Sequence, residues 1–146
     1  MSNVMADILN DNLDYVRNSL GQTLRKIGPN WVNGIGNWIV EEGYLVKMFA
    51  DNSFSIEGLI VDPSTSISVE AGFQFVSCFP EAPMDALIAF ETILNENLDY
   101  VRNSLGQTLR KIGPNWVNGI GDCIPEEGYL VKMFSEGEIV YPANQN

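Results

Sequence analysis

The chain of 146 residues contains no histidine, only two cysteines, and 8 basic residues against 19 acidic ones. Without histidine it lacks the side chain that most often serves as a general base near neutral pH. Cys78 and Cys123 show no Cys-x-x-Cys spacing, and a zinc site would need carboxylates for its remaining ligands. The sequence therefore predicts no enzymatic activity, no catalytic residue, no metal site and no cofactor. We interpret both cysteines as buried or half-buried free thiols.

The shortage of positive charge argues against several classes of partner. The formal net charge is −11, and contacts to nucleic-acid phosphates need a basic surface, so nucleic acid is not expected as a partner. All 8 basic residues lie outside the segment 51–94, which carries only acidic charges. We expect this segment to form an acidic surface, and the overall acidity indicates a soluble protein.

Long hydrophobic runs are missing as well. No apolar run is long enough to span a membrane as a helix, so membrane insertion is not expected. Residues 1–20 lack the basic start and apolar core of a secretory signal, which predicts a cytoplasmic location. Neither a Gly-x-Gly-x-x-Gly pattern nor a Walker loop is present.

A long internal duplication is the main feature that the chain does contain. Residues 10–50 recur at 95–135, an offset of 85 positions with five mismatches, one of which replaces Trp38 by Cys123. Self-similarity at a fixed offset predicts that both copies form the same structural unit. We predict a truncated unit over 1–62 and a complete unit over 63–146, packed together as one body.

Hydrophobic patterning predicts an α+β fold, mostly antiparallel β, with one helix in each unit. Helices are predicted over 2–10 and 83–94. Strands are predicted over 13–17, 22–27, 44–49 and 54–57, over their counterparts in the second copy, and over 67–69 and 73–79. Segment 28–36 is predicted as an ordered loop or a single helical turn. Segment 44–49 has apolar residues on both faces and is predicted to be a central strand, and Ile139 and Tyr141 are expected to point inward.

The first unit has no counterpart of 67–79, so we expect it to expose apolar helix surface and an unpaired strand edge. Three alternative arrangements would cover this helix surface and this strand edge. Segment 73–79 serves the first unit, or the incomplete parts merge into one sheet, or two chains pair. We favour the homodimer, and the alternative is a monomer whose two units close on each other.

Two short motifs resemble those of a bacterial module found in tandem in secreted and cell-surface proteins. They are Gly72-Phe73-Gln74-Phe75-Val76-Ser77 and, after a helix, Glu127-Gly128-Tyr129-Leu130-Val131-Lys132-Met133. The module has a Gly-Trp-Asn-Leu-Ile-Ser-like strand and a Gly-x-Gly-Tyr-type strand, and here Phe73 and Glu127 depart from that pattern. The resemblance covers most of 67–141, and 1–61 without the opening strand. It implies a mostly β spacer, adhesive or anchoring module at the cell surface, and no catalytic residues. A short chain of this kind also resembles free-standing mobile-cassette proteins.

These observations lead to two functional hypotheses. The first is a non-enzymatic structural or protein-interaction module that self-associates through the edges left by the incomplete repeat. The second is a small-ligand or carbohydrate-binding protein with an aromatic cleft. Its candidate ligand-binding residues are Trp31, Tyr44, Trp116 and Tyr129, although such rings more often fill a core or an interface.

Overall fold

The computed structural model describes residues 5, 8–9, 12–54, 59–95 and 97–143. Most of this part of the chain is antiparallel β structure, with two short helices. The strands are β1 Leu13–Arg17, β2 Thr23–Ile27, β3 Asn30–Asn33, β4 Leu45–Met48, β5 Ile67–Val69, β6 Gly72–Ser77, β7 Met84–Asp85, β8 Leu98–Arg102, β9 Thr108–Ile112, β10 Asn115–Asn118, β11 Asp122–Cys123, β12 Gly128–Met133 and β13 Gly137–Ile139. The helices are α1 Ala86–Ala89 and α2 Glu91–Leu94. Within the described ranges, no helix has the length and hydropathy needed to cross a membrane.

Two antiparallel sheets contain most of the strands. The first sheet has the order β3-β2-β1-β4, and the second has the order β10-β9-β8-β12-β6. The pairs β11–β7 and β13–β5 form two small additional ladders. Strands from the two sequence copies therefore pair in the same order, and the second sheet has β6 as an extra neighbour of β12.

The first hairpin of each large sheet is fixed by local turn chemistry. The side-chain oxygen of Asn18 accepts hydrogen bonds from the backbone N–H groups of Leu20 and Gln22, at 3.1 and 2.9 Å. Gly21 has a φ of 81°, which glycine adopts without steric cost. Asn103 makes the same pair of bonds in the second copy. This turn joins the strands predicted over 13–17 and 22–27, which are confirmed as β1 and β2.

Each large sheet covers an apolar core with one face. The core of the second sheet is the larger one, and it packs Phe90 against Tyr129 and Tyr141 with ring centroids 5.9 and 5.8 Å apart. The predicted inward positions of Ile139 and Tyr141 are confirmed, because both are buried. The buried residues of the first core are Met5, Ile8, Leu13, Val16 and Leu24.

Segment 28–36 is not the loop or helical turn that we predicted. It contains β3, which pairs with β2 through a two-residue connection made by Gly28 and Pro29. Gly28 has a φ of 61°, the left-handed value that the first position of a tight hairpin loop requires. Since glycine, proline and asparagine dominate the segment, its short strand has no clear hydrophobic alternation in the sequence.

Two other elements differ from their predictions. Strand β4 lies at the edge of the first sheet and not at its centre, whereas its counterpart β12 is central as predicted. The helix predicted over 83–94 begins only at Ala86, where Asp85 accepts a hydrogen bond from the Leu87 N–H at 2.8 Å. It begins late because Met84 and Asp85 are held in the ladder with β11. It is interrupted at Phe90, whose φ of −101° and ψ of 16° are not helical.

Two predicted elements fall largely on residues outside the described part of the chain. The strand predicted over 54–57 lies there except for Phe54, which has no regular structure. Of the predicted helix 2–10 the structure describes Met5, Ile8 and Leu9, and the last two donate backbone hydrogen bonds to the Met5 carbonyl at 3.0 Å each. The strands predicted around 67–69 and 73–79 are confirmed as β5 and β6.

The interpretation of the cysteines as free thiols is wrong, because Cys78 and Cys123 form a disulfide with their Cα atoms 6.6 Å apart. Their predicted burial is confirmed. Cys78 directly follows β6, and Cys123 lies in β11, opposite Met84 of β7. Two cysteines 45 residues apart give no local signal of such a contact.

Candidate interaction site

The candidate site is the outer edge of β4, where the two sequence copies differ in their surroundings. Strands β4 and β12 come from the same sequence, Leu-Val-Lys-Met. Val46 of β4 is 37% exposed, whereas Val131 at the equivalent position in β12 is fully buried. Strand β12 lies between β8 and β6, and β4 pairs only with β1 in the part of the chain that the structure describes.

The backbone of β4 directs hydrogen-bonding groups toward this edge. The bond from Asn18 N–H to the Gln22 carbonyl closes the β1–β2 hairpin at 3.0 Å. Antiparallel ladders alternate, so Val16 exchanges its peptide hydrogen bonds with β2, and its neighbours in β1 point toward β4. Val46 is paired with Val16 in register, and its own N–H and C=O therefore point away from β1. In β12 the same groups of Val131 face β6, opposite Gln74.

A cleft of about 410 Å³ opens beside this edge. One wall is the start of β4, and the other is the outer face of the second sheet. The lining residues are Tyr44, Leu45, Val46, Phe75, Arg102, Asn103, Ser104, Glu127, Gly128 and Leu130. Val46 also lines a second cavity, with Trp38 and Phe54. The edge of β4 is therefore an accessible apolar surface with one guanidinium group nearby.

A junction between the chain before β4 and strand β6 sets the position of the cleft. Gly43 N–H donates to the Phe75 carbonyl at 3.1 Å, and Ser77 N–H donates to the Glu41 carbonyl at 3.2 Å. The Ser77 hydroxyl lies 2.6 Å from the Glu42 carbonyl oxygen. Farther along, the Phe75 N–H donates to the Ser19 hydroxyl oxygen at 2.8 Å. Together these bonds attach the first sheet to the second.

The junction depends on a glycine at position 43. An ideal Cβ built on Gly43 would lie 2.8 Å from the carbonyl oxygen of Val76, closer than a side chain tolerates. The same atom on Gly128, its sequence counterpart, would meet its nearest neighbour, the Gly43 Cα, at an ordinary 3.5 Å. Gly128 also lies beside β6, opposite Ser77, but a Cβ would fit there, so only at Gly43 does the approach to β6 require glycine.

The charges around β4 are partly paired. Lys47 Nζ lies 3.2 Å from Asp14 Oδ2 on the neighbouring strand, and it also lies 5.8 Å from the centroid of the Tyr15 ring. Arg102, on the wall of the cleft, makes no ion pair within the described ranges. Burial raises the pKa of the Tyr44 phenol, which accepts a hydrogen bond from the Ile39 N–H at 2.9 Å. Tyr44 is therefore neutral and fixed at neutral pH.

The four predicted ligand-binding aromatics do not come together at one site. Trp31 and Tyr44 pack against the first core, whereas Trp116 and Tyr129 belong to the second. Tyr129 is buried, and its hydroxyl accepts a hydrogen bond from the Ile124 N–H at 2.7 Å, so its ring is a core element. Of the four, Tyr44 lines the cleft beside β4.

Two tryptophan side chains bury an indole N–H group that has no hydrogen-bond acceptor among the described residues. The indole nitrogens of Trp38 and Trp116 are buried, and no acceptor for them is found among the described residues. Trp38 packs edge-on against Tyr44, with ring centroids 4.3 Å apart. These tryptophans act as packing groups, and an unpaired buried donor is a local cost to stability.

The chemistry of the described residues offers no cluster of three or more histidine, cysteine or acidic side chains that could hold a metal ion. Comparisons with known proteins give no further guide: no family model, no curated protein and no solved structure matches this chain. The fold and the β4 edge are therefore the observations from which a function is inferred.

Sequence reasoning predicted an exposed strand edge in the first unit but did not locate the residues that shape it. The junction of Gly43 with Phe75 and Val76 was missed, because Gly43 and Gly128 both stand in the sequence Glu-Glu-Gly-Tyr-Leu-Val-Lys-Met-Phe. Arg102 was also missed as a lining residue of the cleft. Such contacts depend on how the two sheets pack.

Proposed function

We propose that the protein is a non-enzymatic interaction module built from one truncated and one complete copy of an 85-residue unit, and that it self-associates as a homodimer through the β4 edge. The unequal surroundings of Val46 and Val131 carry the proposal. Identical sequences bury the valine where a neighbouring strand is present and leave it partly open where no described residue pairs with the outer edge. A second chain is the nearest source of the missing neighbour.

The energetics favour a partner at this edge. An unpaired strand edge that exposes apolar side chains invites pairing with another chain. Leu45, Val46 and Phe49 are all exposed on or just after β4. Burying a large apolar side chain stabilises by roughly 1.5–3 kcal/mol, so covering several of them contributes substantially to association.

The oligomeric state tests this proposal. Light scattering with size-exclusion chromatography should give a dimer mass that falls toward the monomer on dilution. Val46→Pro removes the N–H that points to the free edge and leaves the ladder with β1 intact, so this variant should be monomeric with an unchanged circular dichroism spectrum. Val46→Ile keeps both the N–H and the apolar surface and should still dimerise. A native protein that is monomeric at every concentration overturns the proposal.

A second candidate function is small-ligand or carbohydrate binding in the same cleft. It is supported by Tyr44 in the cleft wall and by a volume within the range of roughly 300–1,000 Å³ common for ligand sites. A thermal-shift screen over sugars, lipids and cations should then raise the melting temperature for at least one class. Tyr44→Ala should abolish that shift, and a flat response throughout removes this candidate.

A further inference from the structure

The sequence of this chain itself contains a segment that could cover the β4 edge of a second copy. Leu59 and Ile60 are consecutive large apolar residues that are 98% and 77% exposed. They lie in a stretch without regular structure, just before the turn at Asp62–Thr65. Two adjacent side chains of this size in open solvent form a small apolar patch, which calls for a partner. We call residues 59–62 the arm.

We propose that the arm of each chain adds as a strand to the β4 edge of a second copy, so that a dimer forms by reciprocal exchange. This inference rests on the proposed function and names the contact through which it operates. Antiparallel addition is expected, because β6 covers β12 in that way. Val61 packs against the second core of its own chain, so Leu59 and Ile60 are the apolar residues of the arm that would add to the edge.

Charge complementarity supports this pairing. The arm belongs to the segment 51–94, which has no basic residue. The edge that it would join lies beside Arg102, and Arg17 lines the adjoining cavity over Phe75 and Leu130. Direct pairing of two β4 strands would instead bring the Lys47 side chains of both copies toward one another. An apolar strand whose one charged residue, Asp62, is acidic is therefore the better fit to this edge.

The pairing of β12 with β6 in the second sheet gives the geometry expected for the arm on β4. In the second sheet Val131 stands opposite Gln74, and it exchanges peptide hydrogen bonds with β6. We expect Ile60 of one chain to take the equivalent place opposite Val46 of its partner. The Cα atoms of such a pair lie about 5.5 Å apart, which is within the range that a disulfide bridges.

Cysteine cross-linking of the full chain tests the exchange, since Cys78 and Cys123 are already paired. A mixture of Val46→Cys and Ile60→Cys chains should form interchain disulfides under mild oxidation, and neither variant should do so alone. Ile60→Lys should weaken dimerisation at least tenfold, whereas Ile112→Lys, an exposed residue at the end of β9, should leave it unchanged.

Other outcomes separate this inference from the proposed function. If Val46→Cys cross-links with itself and Ile60→Lys remains dimeric, the arm is not the partner, although the β4 edge still is. If a Val46→Cys, Ile60→Cys double variant closes within one chain at monomer mass, the arm covers its own edge and the exchange is overturned. If no variant cross-links and the native chain is monomeric, both proposals fail.

Discussion

Val46 and Val131 occupy the same position in two copies of one sequence, yet one is 37% exposed and the other is fully buried. The difference does not come from the strands themselves, which pair with β1 and β8 in matching registers. The difference comes from β6, which pairs with β12 but does not pair with β4. In the second copy β6 pairs along the whole of β12. In the first copy it contacts the chain before β4, at the bridge between Glu42 and Val76, and the β1–β2 turn at Ser19.

Truncating the two valines should reveal this difference as a difference in stability. Val131→Ala removes buried methyl groups and should lower the free energy of unfolding by about 1–3 kcal/mol. Val46→Ala should cost less than about 1 kcal/mol in the dilute monomer, because the side chain is partly solvated. Urea unfolding at low protein concentration measures both. Equal losses would show that Val46 is buried without a partner.

Substituting the two equivalent glycines should also give unequal results. Gly43→Ala places a Cβ against the Val76 carbonyl oxygen and should destabilise the chain by about 1–3 kcal/mol, since backbone must move. Gly128→Ala meets only ordinary contacts and serves as the matched control, with a loss below about 1 kcal/mol. Denaturant midpoints for the two variants settle the comparison. If Gly43→Ala is as stable as Gly128→Ala, the junction with β6 is not formed as described.

The disulfide should stabilise the second core. Closing a loop of 45 residues restricts the unfolded chain, which corresponds to roughly 4 kcal/mol at most in the chain-entropy model. Reduction should therefore lower the midpoint of chemical unfolding of the native protein. The Cys78→Ser, Cys123→Ser double variant should start at the lower midpoint and show no response to the reductant. A reductant effect of the same size on both proteins would point to a cause other than the disulfide.

The sequence allowed much of the fold to be predicted, but only part of the site. Strand β1, its turn at Asn18 and the inward position of Tyr141 follow from alternation and turn residues, which are local signals. The strand β3 was missed because Gly28 and Pro29 resemble a loop, although they form a tight hairpin connection. The Cys78–Cys123 pair and the edge position of β4 depend on packing between distant segments, which an isolated sequence does not display.

Alkaline pH should destabilise the protein through its buried tyrosine. Burial raises the pKa of the Tyr141 phenol well above its ordinary value of 10.0, so the folded state keeps it neutral. The unfolded chain ionises near pH 10, and stability that is complete below that pH is lost progressively above it. Urea unfolding at about pH 8 and about pH 11 should show this loss.

Tyr141→Phe provides the control for that measurement. The variant loses the hydrogen bond from the Tyr141 hydroxyl to the Ser77 carbonyl at 2.6 Å, which should lower stability at neutral pH by about 1–3 kcal/mol. Its further loss at alkaline pH should be smaller than that of the native chain. An identical alkaline slope in both proteins would assign the effect to other groups.

Hydrogen exchange at the Val46 amide tests the central claim most directly, because that N–H points to the edge that a second chain is proposed to cover. Its protection should approach that of the Val131 amide at high protein concentration and should fall on dilution, while Val131 stays protected throughout. A Val46 amide that exchanges at the same rate at every concentration would contradict self-association through β4.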